Sequence, residues 1–179
     1  GVGEPIERNT PFFVWRRIFS ELFAKCGIES LTDDKIQSKI LSVFGGNEKI
    51  LRYIPLINNL FPMNWEENEY TKNLSGKARL EETINLLGNI IQNVNSKHKI
   101  IILLKDIQNI DLSSFDLINK ISGEDFNITL ILTSKMKTEG NNDLIQKIEA
   151  LGKHKEINLN PLNSTDLENI CSNKFGLMS

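Results

Sequence analysis

The chain has 179 residues, 40% of them hydrophobic and 25% charged, a composition that suits an ordinary globular domain with one sizeable core. A formal net charge of −2 and an isoelectric point near 5.8 exclude a general attraction to phosphate backbones or anionic lipid, so no nucleic acid partner is expected. No apolar run reaches the roughly 20 residues that span a bilayer and no signal-like segment opens the chain, so the expectation is a cytoplasmic protein in which Cys26 and Cys171 are buried thiols.

In chain order, Gly1 to Asn9 carries two glycines and a proline, and Thr10-Pro11 supplies an N-cap followed by a residue suited to a first helical turn. Phe12, Trp15, Phe19, Leu22, Phe23 and Cys26 recur at helical spacing, opposite Arg16, Arg17 and Glu21, and Gly27 ends the helix. A second helix begins at Thr32, carries Ile36, Ile40, Leu41 and Phe44, and leaves through Gly45-Gly46 in a left-handed exit. A short third helix follows from Glu48. Ile54 to Asn73, with Pro55 and Pro62, reads as a packed irregular connection, and Lys77 to Asn95 as a long helix whose buried stripe is Leu80, Ile84, Leu87 and Ile91. Asp33 and Asp34 sit in a first helical turn, and His98 and His154 have no metal-like spacing.

Beyond residue 98 the period changes. Lys99 to Lys105 is a continuous apolar run with charged ends, as in a strand covered on both faces. Asp111 or Ser113 caps a helix through Phe115, Leu117, Ile118 and Ile121, and Ile128 to Thr133 forms a second strand. Asn142 to Leu151 is helical, Lys155 to Leu159 a third short strand, and Ser164 caps a last helix to Phe175. This alternation predicts an α/β fold with a parallel sheet and right-handed crossovers. The domain is read as one unit over 1–179, mostly helical over 1–98, with a strand and helix core over 99–160 and the start of a helical lid over 161–179.

Parallel sheets bind ligands beyond the carboxyl ends of their strands, where Asp106, Thr133 and Ser134 stand. An apolar strand ending in aspartate is the Walker B arrangement, which holds a phosphate-bound Mg²⁺. One carboxylate suffices, because Mg²⁺ keeps most of its waters. The competing reading is an aspartate that only caps the following loop.

The longer string Ile100 to Asp111, with Asp106, Gln108 and Asp111 in the order Asp, one residue, His or Gln, two residues, Asp, resembles the AAA-like ATPase modules of large multidomain class III nucleotidyl cyclases and related signalling regulators. Ile6 to Arg16 looks like the segment that follows the P-loop helix and second strand in those modules. Leu130 to Ser134 looks like their sensor strand, and Ile157 to Leu162 like the strand entering the lid. Leu56 to Leu60 with Gly76 to Arg79 fits their helical insertion. The resemblance implies a partial P-loop NTPase fold of parallel sheet, flanking helices and helical insertion, with ATP and Mg²⁺ as cofactors of the complete domain. It implies that Asp106 holds Mg²⁺ through water with Asp111 in support, that Gln108 orients a water, and that Thr133 or Ser134 senses the γ-phosphate. For Asp111, helix capping competes with metal support. Ile107 replaces the acidic residue of vigorous ATPases, and Lys135 stands where many relatives have arginine, both of which point to slow hydrolysis and weaker phosphate contact.

A Walker A loop is absent. Gly76-Lys77 fails the pattern, since Thr71 stands where the first glycine belongs and Ala78 where the hydroxyl belongs. Gly1 and Gly3 read as the tail of a loop, so a parent chain is expected to add the first strand and P-loop before Gly1 and a lid after Ser179. The implied partners are ATP and other domains of that parent. The implied function is a regulatory, slowly hydrolysing ATP-binding module of a cyclase, this segment alone being inactive. The alternatives are a degenerate scaffold for protein interaction and an ATPase module of a transcriptional or kinase regulator.

Overall fold

The computed structural model describes residues 1–28, 36–61, 63–123, 126–135, 146–148, 150 and 155–175. Its elements are α1 (Phe13–Lys25), α2 (Ile36–Phe44), α3 (Glu48–Tyr53), α4 (Gly76–Asn95), β1 (Ile100–Leu104), α5 (Leu112–Ile121), β2 (Ile128–Leu132) and α6 (Ser164–Phe175), with 3-10 turns at Pro5–Glu7, Ile54–Asn59 and Ile107–Asn109. The architecture is mixed α/β around a small parallel sheet. β1 pairs with β2 in register from Ile100 opposite Ile128 to Leu104 opposite Leu132.

On the other edge of β1 lies Val2, in a parallel bridge with Lys105. Lys105 donates its N–H to Gly1 O at 3.0 Å and accepts from Gly3 N at 2.8 Å, while Leu104 O faces the opposite way and accepts from Thr133 N at 2.9 Å. The Gly1-Val2-Gly3 segment, expected as the tail of a loop, lies along β1 through a single bridge at Val2 and forms no strand of its own. Glycine is required at its start for room: a Cβ on Gly1 would stand 2.4 Å from Val14 O.

One continuous core joins the helices to the sheet. α1 contributes Trp15, Phe19 and Phe23, each fully buried, and the Phe23 ring meets Phe44 and Phe61 at centroid distances of 6.1 and 5.9 Å. α4 adds Leu86, Leu87, Ile90 and Ile91, α5 adds Leu117 and Ile118, and β1 adds Ile100, Ile102 and Leu104. The stripe of α4 is turned from the expected one: Leu87 and Ile91 are buried, whereas Leu80 and Ile84 pack only partly.

Because those helices share one side of β1, the strand alternates instead of being covered twice. Ile101 is 65% exposed and Leu103 46%, and their neighbours on the same face, Ile131 and Val2, are 46% and 42% exposed. Among the described residues this sheet face is bare, which corrects the expectation of two covered faces.

Local endings differ in instructive ways. Gly27, at φ +81°, ends α1 in a Schellman arrangement, with Ile28 N on Phe23 O at 2.9 Å and Gly27 N on Ala24 O at 3.0 Å. Thr10 does not cap α1. Its hydroxyl donates to Glu7 at 2.6 Å, Phe12 turns left-handed at φ 59°, and the helix starts at Phe13. Gly45 is not left-handed, and its lack of a side chain matters because a Cβ would lie 2.3 Å from Leu41 O. Asn47 caps α3 through Lys49 N and Ile50 N. Asn163, not Ser164, caps α6, in a reciprocal box in which Asp166 N donates to Asn163 at 2.9 Å and Asn163 N to Asp166 at 3.1 Å.

Residues 155–159 form no strand and are exposed, with Ile157 at 71% and Leu159 at 87%, because no neighbouring strand pairs with them. Cys26 is half-buried and Cys171 exposed on α6, so only the first approaches the expected buried thiol. Burial pushes the Cys26 thiol up from its ordinary value, against a weaker opposite pull from Lys97. Thr32, Asp33, Asp34 and His154 lie outside the described residues, as does most of 142–151, of which 146–148 are helical. No described helix is long and apolar enough to cross a membrane.

Candidate site at the strand tips

β1 ends where Asp106 turns left-handed at φ 54° and ψ 47°. Aspartate tolerates this conformation better than the β-branched residues around it, so the strand stops here and the chain tightens into the turn Ile107–Asn109. Three contacts fix that turn. Ile107 N donates to Thr133 O at 3.0 Å, tying it to the exit of β2. Asn109 Nδ2 reaches Gly3 O at 3.5 Å. Gly3 lies so close that a Cβ on it would stand 2.4 Å from Asp106 O.

Gln108 joins the two strand tips through its side chain. Its Nε2 donates to Asp106 Oδ1 at 3.2 Å, and its Oε1 accepts from Ser134 Oγ at 3.1 Å and from Lys135 N at 3.4 Å. Asp106 and Gln108 are half-buried, while Thr133, Ser134 and Lys135 are exposed. The structure thus brings Asp106, Gln108 and Ser134 into one hydrogen-bonded group. Thr133 contributes backbone, through its N–H to Leu104 O and its carbonyl to Ile107 N. Lys135 also contributes backbone, a role that a search for a charged side chain at that position does not reveal.

Asp111 has another task. It is 5% exposed, and its Oδ1 accepts from Ser114 N at 2.8 Å and from Phe12 N at 3.1 Å, while Oδ2 accepts from Ser114 Oγ at 2.5 Å. One carboxylate caps α5 and also closes the left-handed entry to α1, which has no cap of its own. Trp15 Nε1, donating to Ser114 O at 3.2 Å, completes the junction.

Among the described residues no group of three or more His, Cys, Asp or Glu side chains converges to hold a metal. The donor set at the tips, a half-buried carboxylate at Asp106 beside an amide and a hydroxyl, fits a Mg²⁺ that retains its waters and leans on phosphate. A surface groove beside α5, lined by Leu112, Phe115, Asp116 and Lys147, offers no comparable convergence. Burial there pushes the Asp116 carboxyl up, and Lys147 pulls it partly back.

The missed contributors are Gly3 and the backbone of Lys135. Only the glycine left a trace in the sequence, as a position beside a strand where any side chain would collide. Comparison with protein-family models, with curated proteins and with solved structures gives no match.

Proposed function

We propose that the chain is the metal-side portion of a regulatory nucleotide-binding module, of the AAA-like kind found in multidomain nucleotidyl cyclases. In this reading Asp106 holds the Mg²⁺ of Mg·ATP through water, Ser134 and Thr133 stand toward the phosphates, and a slow hydrolysis cycle biases the packing of neighbouring domains of a cytoplasmic parent. Mg²⁺ would supply charge neutralisation on the phosphates. The chain's own residues position it and link the strand tips. The observation that carries the reading is the hydrogen-bonded group Asp106, Gln108 and Ser134 at the carboxyl ends of two parallel strands, where α/β sheets receive ligands.

The test is binding of a fluorescent ATP analogue in the presence of Mg²⁺, by anisotropy, to the chain and to Asp106→Asn. Measurable affinity that falls at least tenfold in the variant supports the reading. Equal binding in the two proteins refutes it.

The bare sheet face favours a second reading, an interaction scaffold in which Val2, Ile101, Leu103 and Ile131 meet a protein partner and Asp106 only ends a strand. Ile101→Lys separates the two. It would abolish partner capture under the scaffold reading and leave nucleotide binding at the strand tips unchanged.

A further inference from the structure

We infer that Gln108 is a two-position latch, which reports occupation of Asp106 by a divalent cation to the segment leaving β2. The inference rests on the reading of Asp106 as a cation site and adds to it a means of regulation.

A glutamine side chain has a donating nitrogen and an accepting oxygen, and it cannot present both to the same side. Here the nitrogen faces Asp106 Oδ1 at 3.2 Å and the oxygen faces Ser134 Oγ at 3.1 Å and Lys135 N at 3.4 Å. This orientation suits a bare carboxylate, which only accepts. It does not suit a carboxylate holding a cation. The NH₂ group would then point its partial positive charge at the ion, whereas an amide oxygen is an ordinary ligand for a hard divalent metal.

Turning the amide by half a revolution resolves the conflict. Oε1 then faces the cation, and Nε2 faces Ser134 Oγ. The hydroxyl can follow, because it accepts as readily as it donates. Lys135 N cannot, since a backbone N–H only donates, and it loses its acceptor. The switch at Asp106 is thus read out as the release of one backbone amide at the exit of β2. Both orientations keep Ser134 bonded to Gln108, so the latch changes state without parting the strand tips.

Gln108→Glu isolates the idea. Its carboxylate only accepts, so whichever oxygen turns toward Asp106 the other still serves Ser134 and Lys135 N. It also adds a negative charge beside Asp106, which strengthens cation binding. The latch is then fixed while the cation site remains.

The experiment is a Mg²⁺ titration, to about 20 mM to cover the weak millimolar affinities of sparse oxygen sites, followed in ¹⁵N-labelled protein by NMR. In the unmodified chain the Gln108 side-chain NH₂ signals and the Lys135 amide shift saturably with one shared midpoint. The Lys135 proton moves upfield as it loses its acceptor, and Asp106→Asn removes the response. In Gln108→Glu, Asp106 and Ile107 still shift, at a lower midpoint, and Lys135 does not. If Asp106 and Ile107 shift in the unmodified chain while Lys135 and the Gln108 NH₂ stay still, the latch is wrong and the cation site stands. If nothing at the strand tips shifts, both fall.

Discussion

Replacing Asp111 by alanine should come close to unfolding the protein. The side chain is buried and serves three donors: Ser114 N, Ser114 Oγ and Phe12 N. Loss of the α5 cap costs about 1 kcal/mol, within a usual span of roughly 0.5–2. Phe12 N and the Ser114 hydroxyl would remain inside without acceptors, at about 1–3 kcal/mol for each buried polar group. A total of about 3–7 kcal/mol is a large share of a typical net stability of roughly 5–15. Asp111→Asn keeps one oxygen for the two backbone donors and turns an NH₂ toward Ser114 Oγ, which can accept, so its cost should stay near ~1 kcal/mol. Urea unfolding followed by tryptophan fluorescence measures both, since Trp15 sits in this junction. An alanine variant that loses less than ~1 kcal/mol, or an asparagine variant as damaged as alanine, would refute the reasoning. The pair also bears on metal support: if Asp111 served a cation, Asn would lose the Mg²⁺ response while keeping the fold.

Gly3→Ala should strip the first residues from β1, because the new methyl would stand 2.4 Å from Asp106 O, and should cost about 1–3 kcal/mol; native amide exchange at Gly3 and Lys105 would show the loss of pairing. Gly88→Ala goes the other way. Its Cβ would find Lys120 Cγ at 3.4 Å and Phe126 at 3.9 Å, ordinary contacts, so α4 should gain up to about 1 kcal/mol of helix propensity, visible as a raised urea midpoint. Glu67 accepts from Arg79 at 2.5 Å, and this bond, followed by one from Thr71, holds its carboxyl below the usual range. A depressed folded value means that the contribution is present above the ordinary carboxylate pKa of about 4.3 and is lost as pH falls through the folded value. With the Glu67 side chain 37% exposed, solvent screening limits the pair to a few tenths of a kcal/mol, so Glu67→Gln should lower stability slightly at pH 7 and by less as pH falls. A cost that persists unchanged at pH 3 would sink that account.

What the sequence made legible was what its local patterns encode. The apolar spacing of Phe12 to Cys26 and the glycine at 27 located α1 and its end, and the runs at 100–104 and 128–132 located two strands. The true start of α1 was not legible, because the Phe12 turn before it is tied to Asp111, 99 residues away. Residues 155–159 carry a strand-like pattern, but a strand is completed by its neighbour, and none pairs with them here. A segment of three residues such as Gly1 to Gly3 is too short to show a period of two. At the candidate site, Asp106, Gln108 and Ser134 could be placed at strand tips from the runs that precede them. The direction of the Gln108 amide depends on side-chain torsions and on how β1 and β2 are aligned, which no spacing rule contains.

The junction of α1 with the sheet sets an order of assembly. Gly1 pairs with Leu103, Phe12 with Asp111 and Trp15 with Ser114, contacts separated by 102, 99 and 99 residues. The units β1, α5 and β2 can meet across short connections, whereas α1 must wait for them. On a ribosome moving at about 5–20 residues per second, α1 emerges roughly 5–20 s before its partners. Throughout that interval Trp15 lacks Ser114 and the sheet, although Phe44 and Phe61 emerge soon enough to cover Phe23, so the Trp15 end of α1 is the natural target of a holding chaperone.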